Sequence, residues 1–182
     1  MPFKALRAAV QILDLRCPNF SFRHHLFTKA HKHSMSTKHV PLISSGVSGP
    51  LGVLHLPRLW QKALLGALGK LADGYGDISP GYDHMVLGAL GIDPEKARSF
   101  IREKKPTYPQ FEAWVRAYPG VKLDKASIYK NNVAIMGYVH GDSVRKGILS
   151  AAGLPDDGSV HPGAVDLNNL DDWQEFHKSV VS

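Results

Sequence analysis

Cysteine occurs once in the 182 residues, at Cys17. Beyond that position the chain therefore has no disulfide, no thiolate metal ligand and no cysteine nucleophile, which points to a reducing compartment. Long apolar runs are missing too: "ALLGALG" at 63–69 is flanked by Lys62 and Lys70 and falls far short of the roughly 20 residues that cross a bilayer. The expectation is a soluble, cytoplasmic protein without membrane association. Neither G-x-x-x-x-G-K-[ST] nor G-x-G-x-x-G is present, and "GVSGPLG" at 46–52 follows no predicted strand, so no phosphate cradle is indicated. The strained G-x-S-x-G elbow of many hydrolases is absent as well. Six histidines follow Met35, namely His39, His55, His84, His140, His161 and His177. None pairs with another at i, i+4, the spacing that commonly presents zinc ligands on a helix, so neither metal nor cofactor is expected.

Charge is present but unevenly placed. The formal net charge is +6, yet residues 1–34 alone hold six basic residues against one acid, Asp14, leaving 16 basic and 15 acidic residues for the rest. The basicity thus belongs to a leader, and a near-neutral remainder lacks the electrostatic drive of nucleic-acid binding. The leader's apolar segment "AAVQILDL" is short and interrupted by Gln11 and Asp14, which argues against a secretory signal. Residues 1–40 are read as a disordered extension, with a transit peptide or a true start at Met35 as its two explanations, and 41–182 as one domain.

What is abundant after Pro41 is helical punctuation. No stretch keeps a period of two. Trp60, Leu64, Ala67, Leu68 and Leu71 form an apolar stripe at helical spacing, with Arg58, Lys62, Gly66 and Lys70 assigned to the opposite, polar side. Pro57 suits that helix's first turn, although His55 or Leu56 makes a poor N-cap. A second helix is predicted from Asp83 to Leu90, closed by Gly91. Asp93-Pro94-Glu95 opens a third, Thr107 and Gln110 have capping-box spacing for a fourth, and Asp124 caps a fifth. The fifth carries two apolar rows, Ile128, Ile135, Val139 and Tyr129, Val133, Met136. A short helix over Asp142–Ala152 and a last one from Asn168 or Asn169 complete the set, the latter with Leu170, Trp173, Phe176 and Val180 on one face. "LGALG" occurs at 65–69 and 87–91, but nothing around the copies matches, so it is a coincidence of helix ends rather than a repeat. The fold class is all-α, a compact domain of six or seven helices.

Three blocks, "ISSGVSGPLGVLHLPRLWQKALL", the "GYG…GYD" loop and "LNNLDDWQEFHK", together resemble a bacterial family of uncharacterised proteins, domain of unknown function 5069. The resemblance covers about Pro41 to Val180, implies a helical fold, and carries no reaction, cofactor or catalytic residue with it.

Candidate functional residues are polar groups set beside aromatics. His55, Arg58 and Trp60 lie at one helix entry, Tyr75 and Tyr82 on the loop leaving that helix, and Trp173 with His177 at i, i+4 on the last helix. If the first and last helices meet, these residues enclose a cleft. Arg58 would then hold a small anionic ligand at a helix N-terminus, or the aromatics a protein partner. The alternative is a cofactor-independent lyase, isomerase or hydrolase with His55 and His177 as acid and base. A nucleic-acid-associated factor is the weakest option.

Overall fold

The computed structural model describes residues 37–181; the basic leader and the two readings given for it lie outside the described residues. Seven helices follow one another: α1 (Leu56–Ala67), α2 (Tyr82–Leu90), α3 (Pro94–Lys104), α4 (Tyr108–Ala117), α5 (Lys125–Gly137), α6 (Asp142–Ala151) and α7 (Ala164–Val181). Among the described residues there are isolated β-bridges but no strand. Ordered pairing already begins before the expected boundary at residue 41, since His39 N donates to Lys70 O and accepts at its own carbonyl from Ala72 N.

The punctuation read from the sequence places most helix ends. Asp93 extends its backbone and its carboxylate accepts from Glu95 N and Lys96 N, satisfying two first-turn donors of α3. Thr107 N donates to Gln110 Oε1 at 2.9 Å at the start of α4, and Asp124 accepts from Ser127 N at 3.0 Å at the start of α5. Both copies of "LGALG" finish a helix on a left-handed glycine, Gly69 at φ 65° and Gly91 at φ 73°, a conformation that costs residues with a Cβ far more.

α1 runs through the middle, packed against α2, α3 and α4, while α2 packs on α5, and α5 and α6 pack on α7. Leu56, Leu59, Val86, Leu87, Leu90, Ile101, Phe111 and Ile135 form the fully buried core. Next to it, Trp114 stacks on Phe100 with ring centres 4.7 Å apart, and Trp60 meets Tyr108 edge-on at 5.5 Å.

Three amphipathic assignments are corrected. In α5 the row Tyr129, Val133 and Met136 is exposed. In α1, Arg58 and Lys62 from the supposedly polar side are only 6% and 7% exposed, although Lys70 on that side is exposed. Charge goes inward there because each cation meets a buried carboxylate, as shown below. In α7 the expected core face points outward, with Trp173 59% and Val180 61% exposed. That helix starts at Ala164 rather than at Asn168 or Asn169, and its buried residues are Ala164, Val165, Leu167 and Asp172. The early start is held by Ala164 N donating to Tyr138 O.

Candidate active site

The site begins with a loop that glycine makes possible. Val47 N donates to Ser44 O, and Gly46 N to Ser44 Oγ at 3.1 Å, so Ser45 and Gly46 form the centre of a tight turn. Gly49 passes so close to Tyr108 and Glu112 that any Cβ there would collide with both. Glu112 Oε1 in turn accepts from Leu51 N and from Tyr108 Oη. Asn132 then clasps the chain from α5, accepting from Leu54 N at 3.0 Å and donating to Gly52 O at 2.8 Å. Finally His55 N donates to Val47 O at 3.1 Å. The loop therefore closes on itself and sets Ser45 beside His55.

His55 takes the N-cap of α1 in the left-handed region, at φ 67° and ψ −18°, a strain of about 1–3 kcal/mol for a residue with a Cβ. Its imidazole is 2% exposed and fully bonded. Nδ1 lies 2.9 Å from Ser45 Oγ, Nε2 lies 2.9 Å from Asp83 Oδ1, and the Tyr82 ring leans on it at 5.3 Å.

Asp83, in the first turn of α2, is the second anchor. Its Oδ2 accepts from Lys62 Nζ at 2.5 Å, Ser79 N at 2.9 Å and Ser79 Oγ at 3.1 Å. Burial works against its charged form, but the His55 hydrogen bond and the Lys62 charge outweigh it and hold the carboxyl well below the usual range. Burial likewise lowers the basicity of His55 more than Asp83 raises it.

Burial disfavours the imidazolium, and the partners of the two ring nitrogens assign its hydrogen. A carboxylate can only accept, so the Nε2 facing Asp83 bears the hydrogen, and the neutral ring leaves Nδ1 with a lone pair. That lone pair accepts from the Ser45 hydroxyl. Ser45, His55 and Asp83 therefore form one hydrogen-bonded chain running from hydroxyl through imidazole to carboxylate.

A second buried pair lies one helical turn away. Arg58 Nη1 and Nη2 grip Asp172 of α7 at 2.6 and 3.0 Å, and Nη1 also donates to Pro41 O and Ile43 O. Tyr75 Oη donates to Asp172 Oδ1 at 2.9 Å, and burial followed by the Asp172 charge pushes that phenol's pKa upward. Burial, then Asp172, also raises the pKa of half-buried Asp171.

Both networks line one open cavity of about 310 Å³, at the small end of ligand sites. Ser45, His55, Asp83, Tyr75 and Tyr82 are all in its lining. Tyr138 and His140 complete the wall, His140 Nε2 lying 2.8 Å from Asn168 Oδ1.

The sequence candidates divide accordingly. His55, Arg58, Tyr75 and Tyr82 line the cavity, and the first and last helices do meet there through Arg58 and Asp172. The hydrogen bonds of Arg58 go to Asp172 and two carbonyls, so its charge is already paired. Trp60 lies outside the lining, its indole N–H donating to Pro106 O at 2.9 Å. Trp173 and His177 are exposed on α7, away from the cavity; the residue sharing the cavity wall with His55 is His140. Sequence reasoning missed Ser45, Lys62, Asp83, Asp171 and Asp172. No local spacing marks them, because their partners lie far away along the chain.

Among the described residues no group of three or more His, Cys, Asp and Glu is placed to hold a metal ion, and no helix is long and apolar enough to cross a membrane. Comparison with family models, curated proteins and solved structures finds no match for this chain.

Proposed function

We propose that this domain is a cofactor-independent enzyme in which His55 acts as a general base on a small, polar, uncharged substrate. The observation that supports it most is the imidazole held between Asp83 and Ser45 at the cavity wall, in a strained backbone conformation. An unpaired structural histidine needs no such strain, and a histidine poised as a base gains from an orienting carboxylate. The preference for an uncharged substrate follows from the lining. Arg58 and Lys62 are both committed to buried carboxylates, and Asp171 adds further acidity. An anionic ligand would meet no unpaired cation there.

A thermal-shift survey of small neutral amides, esters and hydroxy compounds, followed by turnover measured on the stabilising ones, tests this reading. Conversion should be lost in His55→Gln. Conversion that persists in that variant removes His55 as base, and stabilisation by anions alone would restore the anion-binding alternative.

A second reading, a domain that docks a protein, is favoured by the exposed row Trp173, Phe176 and Val180 on α7. It places function on the outer face and leaves the cavity idle.

A further inference from the structure

The acid–base reading above, on which the next step rests, leaves the Ser45 oxygen without a chemical role. That oxygen is the immediate neighbour of the base, and its residue is in the cavity lining and 1% exposed. From the tight turn that carries it, the closed loop that presses it against His55 Nδ1, and the carboxylate fixing the far side of the ring, we infer that Ser45 is a catalytic nucleophile for acyl transfer from small neutral esters.

Two contacts of the His55 ring, with Ser45 and with Asp83, carry this assignment. Serine alcohols are poor nucleophiles unless a base accepts their proton as attack occurs, and Ser45 Oγ lies 2.9 Å from the only free lone pair of His55. The base must hold one tautomer, and Asp83 compels it from 2.9 Å on the other nitrogen. The imidazolium formed during attack must be stabilised, and Asp83, an ionised carboxylate shared with Lys62 and Ser79, faces the ring from the side opposite Ser45.

The reaction balances with water as the sole co-reactant. Ser45 Oγ bonds to the ester carbonyl carbon while its proton passes to His55 Nδ1, and the carbonyl electron pair moves onto oxygen. Collapse of that intermediate breaks the bond to the alkoxy oxygen, which leaves as an alcohol carrying the proton from His55. Water then attacks the acyl-serine as His55 takes its proton; the carbon–Oγ bond breaks, Ser45 recovers its hydrogen and a carboxylic acid departs. The small cavity and the absence of an unpaired cation from its lining select short acyl groups without charge.

The experiment uses a fluorophosphonate, which reacts by the same first step: an Oγ–phosphorus bond forms, the phosphorus–fluorine bond breaks, and fluoride leaves. Intact-mass analysis of the full chain should show one phosphonyl group, mapped by peptide sequencing to Ser45. Labelling should vanish in Ser45→Ala and slow at least about 100-fold in His55→Gln, the usual contribution of a positioned base. Its rate should fall as pH drops through the His55 titration, a dependence that a merely structural hydroxyl lacks. No adduct on the folded wild-type chain, or adducts on tyrosine alone, overturns the proposal, and neither outcome depends on a variant folding. The two readings separate on hydrolysis of a neutral aryl acetate. Activity kept by Ser45→Ala but lost by His55→Gln overturns the nucleophile and leaves His55 as base; activity kept by both overturns both.

Discussion

Replacing Asp172 with asparagine isolates the ion pair that ties the first helix to the last. Arg58 and Asp172 have side chains only 8% and 4% exposed, so the substitution strands a guanidinium where water cannot solvate it. Losing one partner of a buried pair costs about 3–5 kcal/mol. Arg58 keeps its carbonyl acceptors at Pro41 and Ile43, and asparagine still offers one acceptor oxygen, which puts the expected loss near the lower end, about 3 kcal/mol. For a domain of this size each kcal/mol moves Tm by about 3 °C, so Tm should fall by about 9 °C. Urea unfolding followed by far-ultraviolet circular dichroism measures the change directly. The double variant Arg58→Met with Asp172→Leu should regain most of the loss, since an apolar pair of similar volume often replaces a buried ion pair without penalty. An Asp172→Asn variant within about 0.5 kcal/mol of wild type, the range of an ordinary surface substitution, would refute the reasoning and free Arg58 for an incoming anion.

Other outcomes follow from the same contacts. Gly49→Ala should destabilise by about 1–3 kcal/mol, the usual range for overpacking, because its Cβ meets Tyr108 and Glu112; unchanged urea unfolding would show that the loop yields freely. Acidification should reduce stability in two stages. His55 has a lowered pKa in the folded state relative to 6.5, so the unfolded chain takes up the proton first, and stability present above that value declines as pH falls through it. Asp83, also lowered, contributes above the unfolded carboxylate range of about 3.9 and loses that contribution below it. His55→Gln should remove the upper stage and weaken the lower one, since His55 also helps hold Asp83 ionised, as read from urea midpoints across pH. His177→Ala and Trp173→Ala should each change stability by less than about 0.5 kcal/mol and leave fluorophosphonate labelling intact, in keeping with their exposure on α7.

Where backbone chemistry acts locally, the sequence was a sufficient guide. Asp93-Pro94, the Thr107–Gln110 box, Asp124 and Gly91 each satisfy or terminate a helix through neighbours a few residues away, and each lies where its spacing put it. The failures came where distant partners decide burial. Arg58 and Lys62 read as a solvated face because nothing local reveals that Asp172 and Asp83 meet them across 114 and 21 residues. Trp173 and Phe176 read as core because an apolar row at helical spacing is normally covered, and only the packing of α7 through Leu167 and Asp172 turns them outward. His55 was half legible. Its poor capping chemistry marked the position as unusual, but the left-handed backbone and the return of Ser45 through a closed loop come from tertiary contacts with Glu112 and Asn132. Ser45, flanked by Ser44 and Gly46, carried no signal beyond a turn.

The most direct measurement is the nitrogen-15 spectrum of the His55 ring in the intact chain. At neutral pH it should report an uncharged imidazole with its proton on Nε2 and an accepting Nδ1, persisting to pH values below 6.5 and losing the Nδ1 hydrogen-bond signature in Ser45→Ala. A doubly protonated ring at pH 7, or a proton resident on Nδ1, would contradict the arrangement on which the base and the nucleophile both depend.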